Sequence, residues 1–157
     1  MSLRNFLLYL ALAAWMAGCG GHPFDARVAP GFVEVKEEDP AYDFRAVAPE
    51  GVAVAVRSEP LKDAPADVAF WERAVTLRMR ELEGYALLGA RDVKSADGTA
   101  GRELTFGHDQ EGKPSVYRIR LFVRGSNLFI IEAGGAKEQM DRFASNVEWM
   151  LAQIQLR

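Results

Sequence analysis

The residues able to do acid–base, nucleophilic or metal chemistry are few in this chain, which has two histidines and one cysteine. His108, Asp109 and Glu111 follow closely on one another, and one imidazole nitrogen with two carboxylates could hold a divalent cation. The same stretch, ending in Gly112, also has the composition of a solvated hairpin turn, in which Asp and Gly serve the backbone. We favour the turn, so the sequence predicts no metal site and no cofactor.

Catalytic constellations are not recognisable elsewhere in the sequence. No Gly-x-Ser-x-Gly elbow, phosphate-binding glycine loop or dinucleotide fingerprint is present. A catalytic triad would need His108 to meet a serine and a second carboxylate from other parts of the chain, while His22 stands alone between glycine and proline. The formal net charge of −3 gives no basic footprint for nucleic acid. These features predict a protein without catalytic residues.

The single cysteine, Cys19, closes an apolar run that begins at Phe6, and the two residues before it, Ala17 and Gly18, are small. Arg4 is the only charged residue ahead of it. The run is about a dozen residues long, whereas a membrane-spanning helix needs about 20, so its length fits the apolar part of a signal peptide. A buried core helix is the alternative, but such a helix shows polar residues at helical spacing and this run shows none.

The segment Trp15-Met16-Ala17-Gly18-Cys19 resembles the end of a bacterial lipoprotein signal peptide, the lipobox, although Met16 stands where that family usually has Leu. The resemblance implies that the Cys19 sulfur receives a diacylglycerol, that cleavage makes Cys19 the first residue, and that an N-acyl chain is added there. Several acyl chains anchor a protein stably. Gly20 follows, where Asp would resemble an inner-membrane retention signal. The resemblance therefore implies anchoring in the cell envelope, at the periplasmic face of the outer membrane if the source is Gram-negative.

This organisation divides the chain into residues 1–18 as signal peptide, 19–31 as a lipidated flexible tether, and 32–157 as a single domain. The tether prediction rests on Gly and Pro at both ends of the stretch and on the lack of any periodic pattern. Lipidation of Cys19 leaves no thiol for a disulfide, so the domain must be stabilised by its core.

Apolar periodicity predicts the elements of that domain. Two alternating runs, 42–48 and 52–57, flank the turn Pro49-Glu50-Gly51 and form a hairpin. An apolar stripe at helical spacing then runs from Val68 to Leu82, with Gly84 after it as a helix end. Four strands follow between residues 85 and 133, and their short links force antiparallel pairing. A last helix spans about 137–155. The pattern predicts an α+β fold with an antiparallel sheet of about six strands and two main helices.

Several stretches of the sequence occur in an order typical of one fold. They are Tyr42-Asp43-Phe44 with Ala48-Pro49-Glu50-Gly51, Gly101-Arg102-Glu103-Leu104, Tyr117 through Phe122, and the helix from Val147 to Leu156. Over about residues 40–156 the chain resembles the Mog1/PsbP-like group, which includes the DcrB-type lipoproteins. The resemblance implies an α/β/α sandwich. It also implies binding to other proteins, mostly without catalysis, because that is what members of the group share.

Strand alternation separates a set of charged residues from the apolar face, namely Arg118, Arg120, Glu103 and Arg45. If the strands align, these side chains form a sheet face of mixed charge. One interpretation is a solvated face with cross-strand ion pairs of a few tenths of a kcal/mol each. The other is a docking surface, where Arg118 and Arg120 bind an anionic partner with bidentate geometry. Whether helices cover this face decides between them.

Together these features predict a membrane-anchored, non-enzymatic envelope lipoprotein whose domain binds another protein in an assembly, stabilising or chaperone-like role. Two alternatives remain. The domain could be an envelope hydrolase with a site near His108, or a passive structural part of an envelope complex.

Overall fold

Nine strands and three helices make up the part of the chain that the computed structural model describes, residues 21–36 and 41–157. Cys19 and the predicted signal peptide lie outside the described residues. The strands are β1 (Phe24–Asp25), β2 (Val33–Glu34), β3 (Phe44–Val47), β4 (Ala53–Pro60), β5 (Ala86–Lys94), β6 (Ala100–Gln110), β7 (Lys113–Arg124), β8 (Asn127–Ala136) and β9 (Gln155–Leu156). The helices are α1 (Val68–Glu81), α2 (Lys137–Arg142) and α3 (Ala144–Gln153).

Seven of the strands form one antiparallel sheet in the order β2-β3-β4-β8-β7-β6-β5, and β1 pairs separately with β9. The strands after α1 are joined by tight links, so each pairs with the next. Between β6 and β7, Glu111 and Gly112 both have positive φ, 56° and 77°, which matches the right-handed strand twist in a two-residue hairpin. β8 then pairs with β4. The predicted α+β fold with an antiparallel sheet is confirmed.

The two faces of the sheet pack against different helices, which makes the predicted α/β/α sandwich. Alternation in β7 places Tyr117 and Ile119 towards α1 and Arg118 and Phe122 towards α2 and α3. The core on the α2–α3 side contains Ala46, Val54, Val56, Phe122, Phe129, Ile131, Val147 and Leu151. The core on the α1 side contains Met79, Leu104, Phe106, Ile119, Leu121, Leu128 and Ile130.

Helix α1 covers only part of its face of the sheet. Its N-cap is Asp67, whose side chain accepts a hydrogen bond from the Ala69 N–H at 2.9 Å. The helix lies over β5, β6 and β7. A helix is about 10 Å wide and strands are about 4.8 Å apart, so one helix shields two or three strands. The region near β4 is left with a cavity on this face.

The stretch predicted as a flexible tether, 19–31, is instead folded onto the domain from Pro23 onward. Phe24 pairs with Leu156 in β9, and the Arg157 N–H donates to the Pro23 carbonyl at 2.8 Å. The Phe24 side chain is 5% exposed and lies in the core on the α2–α3 side, together with Ala29. Two-residue strands are too short to show alternation, which is why the sequence pattern missed them.

The helix predicted for residues 137–155 is divided at Phe143, which has φ −93° and ψ 11° and ends α2 before α3 begins. Its predicted apolar stripe faces the sheet, with Met140, Val147 and Leu151 buried. The stripe of the first helix is wrong at one residue. Leu82 is 78% exposed, because the helix ends at Glu81 and Leu82 lies at its C-cap.

A prediction about the sheet follows from the packing of Gly101 in β6. A Cβ added there would collide with the Leu121 carbonyl oxygen and the Phe122 ring. We expect Gly101→Ala to lower the free energy of unfolding by about 2 kcal/mol, the usual cost of overpacking. Gly89 in β5 has nothing within 4 Å of the same position, so Gly89→Ala should change that free energy by less than about 0.5 kcal/mol. Urea denaturation of both variants measures the difference, and equal stabilities would contradict the packing.

Candidate functional site

His108 lies near the end of β6, half-buried, with its ring centroid 5.0 Å from that of Tyr85. Its carbonyl oxygen accepts a hydrogen bond from the Ser115 hydroxyl at 3.2 Å. Asp109 accepts a hydrogen bond from the Gly112 N–H at 2.8 Å, the backbone role that the sequence predicts for this turn. Among residues 21–36 and 41–157, no group of three or more His, Cys, Asp or Glu side chains could hold a metal ion.

His22, which the sequence leaves without a neighbour, packs against the domain. Its ring stacks on Phe24 with centroids 5.5 Å apart, and Nδ1 lies 3.8 Å from the Asp43 carboxylate. This contact results from the folding of residues 23–32 onto the sheet. No helix in the described part of the chain is long and apolar enough to span a membrane.

Three of the four residues predicted for a partner-binding face meet in one ionic cluster beneath α3. We call it the Glu103 cluster; its members are Glu103, Arg91, Arg118, Arg120 and Glu148. Arg91 Nε and Arg118 Nη2 donate to the Glu103 carboxylate at 2.8 and 2.7 Å. Arg118 and Arg120 each also donate to Glu148 of α3 at 2.7 Å. The cluster therefore ties α3 to the sheet.

Within the Glu103 cluster, Glu103, Arg118 and Arg120 are paired with one another and with Glu148 and are little exposed, whereas Arg91 and Glu148 themselves are about half exposed. The side chains of Glu103 and Arg120 are each 3% exposed and that of Arg118 is 16% exposed. Burial alone would raise the pKa of Glu103, but hydrogen bonds from Arg91, Arg118 and Arg120 outweigh it and lower that pKa to about 2. Arg118 and Arg120 each bridge Glu103 and Glu148 of the same chain, with one hydrogen bond to each carboxylate.

Arg45, the fourth predicted residue, lies on the opposite face of the sheet. The register runs from Arg45 through Ala55 and Glu132 to Ile119, and these residues face α1. Glu103, by contrast, pairs with Arg120 on the α3 side. Grouping Arg45 with Arg118 and Arg120 was therefore wrong. Alternation within one strand does not give its register against the next, and a shift of one residue reverses the face.

A cavity of about 490 Å³ lies on the α1 side, between α1 and strands β4, β8 and β7. We call it the Glu132 cavity, after the carboxylate that lines it. Its apolar and aromatic walls come from Tyr42, Trp71, Val75, Met79, Tyr85, Tyr117, Ile119 and Ile130. Its charged lining consists of Arg57, Glu59, Arg78, Glu83 and Glu132. A second cavity of about 300 Å³ shares Tyr42, Tyr85, Tyr117 and Glu132 and continues along the open part of the sheet.

Glu132 is only weakly compensated for its burial. Its side chain is 10% exposed, and its Oε1 lies 3.5 Å from Nη2 of Arg57. The other terminal nitrogen of Arg57, Nη1, lies 3.6 Å from the Glu59 carboxylate. Burial raises the pKa of Glu132 above its ordinary value, against the opposing effects of Arg57, Tyr117 and Tyr42. Burial and the neighbouring Glu132 carboxylate likewise raise the pKa of Tyr42 and Tyr117. The cavity thus contains a carboxylic group held towards its neutral form among aromatic rings.

The sequence patterns did not single out Glu132 as a site residue, and they missed the cavity. The signal available was its setting, since Glu132 interrupts the apolar run Leu128–Ala133. A charged residue inside an otherwise apolar central strand is unusual because both of its neighbours across the sheet are buried. The apolar stripe of α1, interpreted as core, supplies the facing wall through Trp71, Val75 and Met79.

Solved structures share this architecture at low sequence identity. LpqN, involved in cell envelope biogenesis of Mycobacterium tuberculosis, aligns with a TM-score of 0.61 at 13% identity, over 89% of this chain and 87% of its own. The cyanobacterial PsbP protein CyanoP of Synechocystis sp. PCC 6803 aligns with a TM-score of 0.57 at 12% identity, over 86% of this chain and 87% of its own. The fold is PsbP-like.

A protein of unknown function from Pseudomonas aeruginosa also shares the PsbP-like fold, with a TM-score of 0.54 at 14% identity over 85% of both chains. No protein-family model and no curated protein matches the chain. The predicted PsbP-like architecture is confirmed. Identities this low establish a common architecture and leave function to be argued from the site.

The Glu103 cluster predicts how stability depends on pH. The folded-state pKa of Glu103, about 2, lies below its ordinary value of 4.5, so its contribution is complete above pH 4.5 and is lost as the pH falls towards 2. We expect about 3 kcal/mol of unfolding free energy to be lost over this window because of Glu103. The Glu103→Gln variant should have a lower free energy of unfolding than the wild type at pH 7, and it should lose less of that free energy as the pH falls.

Urea denaturation at a series of pH values measures this dependence. Glu138→Gln is the control, since Glu138 is 81% exposed and pairs only with Arg142 one helical turn away; its profile should follow the wild type. An unchanged acid profile in Glu103→Gln would contradict the assigned role of the cluster.

Proposed function

We propose that this chain is a lipid-anchored protein of the bacterial cell envelope whose PsbP-like domain acts by binding another protein, without catalysis. Two features support the location. The segment ending in Cys19 has the form of a lipoprotein signal, and the structurally similar LpqN is involved in cell envelope biogenesis. In a Gram-negative source, the domain would lie at the periplasmic face of the outer membrane, because Gly20 follows the cysteine.

The observation that carries the binding proposal is a set of exposed apolar side chains on α1, at its C-cap and on the edge strand β5. We call it the α1–β5 patch; its members are Phe70, Leu77, Leu82, Leu87 and Leu88. Leu77, Leu82 and Leu88 are 63%, 78% and 64% exposed, and the Leu88 side chain lies over Gly107 at the edge of the sheet. Exposed large apolar residues are typical of interaction sites, since their exposure to water is unfavourable.

The edge of the sheet favours a protein as the partner. β5 is nine residues long and, among the described residues, no strand pairs with its outer side. β2 at the other edge is only two residues long. The free N–H and C=O groups of a long edge strand can pair with an extended segment of another protein. A partner strand beside β5 would also cover Leu87 and Leu88.

Site-specific photo-crosslinking in cells tests the α1–β5 patch. A photoreactive amino acid in place of Leu88 should give a defined adduct with another protein. Val33 on β2 is the matched control, because it is 65% exposed yet lies on the short edge; the same amino acid there should give no adduct. Equal adducts at both positions, or adducts with lipid alone at Leu88, would contradict a protein partner at this patch.

Metabolic labelling tests the anchor separately. Cells grown with radiolabelled palmitate should incorporate label into the wild-type chain and into Gly21→Ala, but not into Cys19→Ser, which lacks the sulfur for the diacylglycerol. The Cys19→Ser chain should also leave the membrane fraction, since acyl chains hold the domain there. Incorporation of label into Cys19→Ser, or an unlabelled wild-type chain that keeps residues 1–18, would contradict the anchoring proposal.

A further inference from the structure

Two buried polar atoms at the Glu132 cavity lack hydrogen-bond partners. They are Oε2 of Glu132 and Nε of Arg57, and both side chains line the cavity. Each such atom, left unpaired, destabilises the fold, because burial has removed its hydrogen bonds to water. The two side chains already meet through Oε1 and Nη2 at 3.5 Å, so the free acceptor and the free donor belong to neighbouring side chains.

The charges around these two atoms indicate which kind of ligand group could form the missing hydrogen bonds. An anionic group would accept from Arg57 Nε but would meet the Glu132 carboxylate as a like charge. An ammonium group would donate to Glu132 Oε2 and would also find Glu59 and Glu83 in the lining, but it would lie beside Arg57 and, having no acceptor, would leave Arg57 Nε unpaired. An uncharged group that both donates and accepts satisfies the two atoms at once, and carboxamides and hydroxyls are such groups.

The lining of the rest of the cavity indicates the chemistry of the remainder of the ligand. Trp71, Val75 and Met79 of α1 face Ile119 and Ile130 of the sheet across the cavity, so its body is apolar. A volume of about 490 Å³ falls in the range of small-molecule sites. The unpaired atoms are buried, and a rotamer change of Arg57, whose side chain is 34% exposed, would give a ligand access to them.

We propose that the Glu132 cavity binds a small amphipathic molecule whose uncharged head, a carboxamide or hydroxyl, bridges Glu132 and Arg57 while its apolar part packs between α1 and the sheet. This goes beyond the protein partner proposed above, which contacts the outer surface of α1 and the edge of β5. An ordered water is the competing occupant, because it too donates and accepts.

Four probes with the same six-carbon chain separate the possibilities: hexanamide, hexan-1-ol, hexanoate and hexylamine. Calorimetric titration of the purified full-length chain should give saturable binding of hexanamide and hexan-1-ol, with a Kd on the order of 1 mM for ligands so small. Hexanoate and hexylamine should bind at least about tenfold more weakly, because each leaves one atom unpaired and meets a like charge. Equal affinity for all four probes, or tighter binding of an ion, would overturn the proposed head group.

A pair of alanine substitutions on α1 locates the binding. Ala74 lines the cavity, so Ala74→Phe should fill it and reduce hexanamide affinity at least about tenfold. Ala69 is exposed on the same helix and does not line the cavity, so Ala69→Phe makes the same chemical change and should leave hexanamide binding unchanged. Equal binding by both variants would place the probe elsewhere.

Replacing the acceptor gives a test that does not depend on filling the cavity. In Glu132→Leu, hexanamide should lose about tenfold in affinity and its preference over hexylamine should disappear. Retained preference in Glu132→Leu, or no saturable binding of hexanamide by the wild type, would overturn the proposal and favour a bound water. Neither result bears on crosslinking at Leu88, so the two proposals fail separately.

Discussion

A seven-stranded sheet is wider than the helices that must cover it, and this mismatch shapes the molecule. On one face, the N-terminal stretch around Phe24 packs beside α2 and α3, and the three segments together close the core. On the other face α1 lies alone over β5, β6 and β7. Apolar area removed from water stabilises both layers, but only the first face is closed. The open part of the second face, beside β4 and β8, is where the Glu132 cavity forms.

Two glutamates show how the same side chain responds to these two environments. Glu103 accepts hydrogen bonds from three arginines beneath α3, which favours its ionised form and lowers its pKa. Glu132 is buried beside a single arginine at 3.5 Å, so desolvation dominates and its pKa rises. A buried charge with all its partners holds a structure together, whereas one with an oxygen left unpaired is a place where a ligand can supply the missing hydrogen bond. The first glutamate therefore serves the fold and the second serves the proposed site.

The proposed activities use separate parts of the domain. The α1–β5 patch offers exposed leucines and the free edge of β5 to a protein, while the Glu132 cavity lies on the inner side of α1. Helix α1 contributes to both, with Leu77 facing outward and Met79 facing the sheet. The inner side of α1 therefore forms a wall of the Glu132 cavity, and its outer side forms part of the α1–β5 patch.

Much of the fold followed from local patterns. Alternation in Tyr117–Val123, the stripe of the last helix and the short links between strands predict the sheet and its helices, because hydrophobic periodicity and chain reach are local properties. The packing of the N-terminal stretch against the domain could not be predicted from these local patterns. Phe24 reaches the core only by pairing with Leu156, a contact between the two ends of the domain that no local pattern encodes.

The sequence by itself determined the α+β architecture, the inward-facing residues within each strand and the lipoprotein-like form of the segment ending at Cys19, since each depends on neighbouring residues. Only the tertiary structure decided how the faces combine. It separated Arg45 from Arg118, buried Arg118 and Arg120 under Glu148, and left Glu132 beside an open cavity. Those outcomes depend on strand register and on which strands α1 covers, and both are set by packing between segments far apart in the chain.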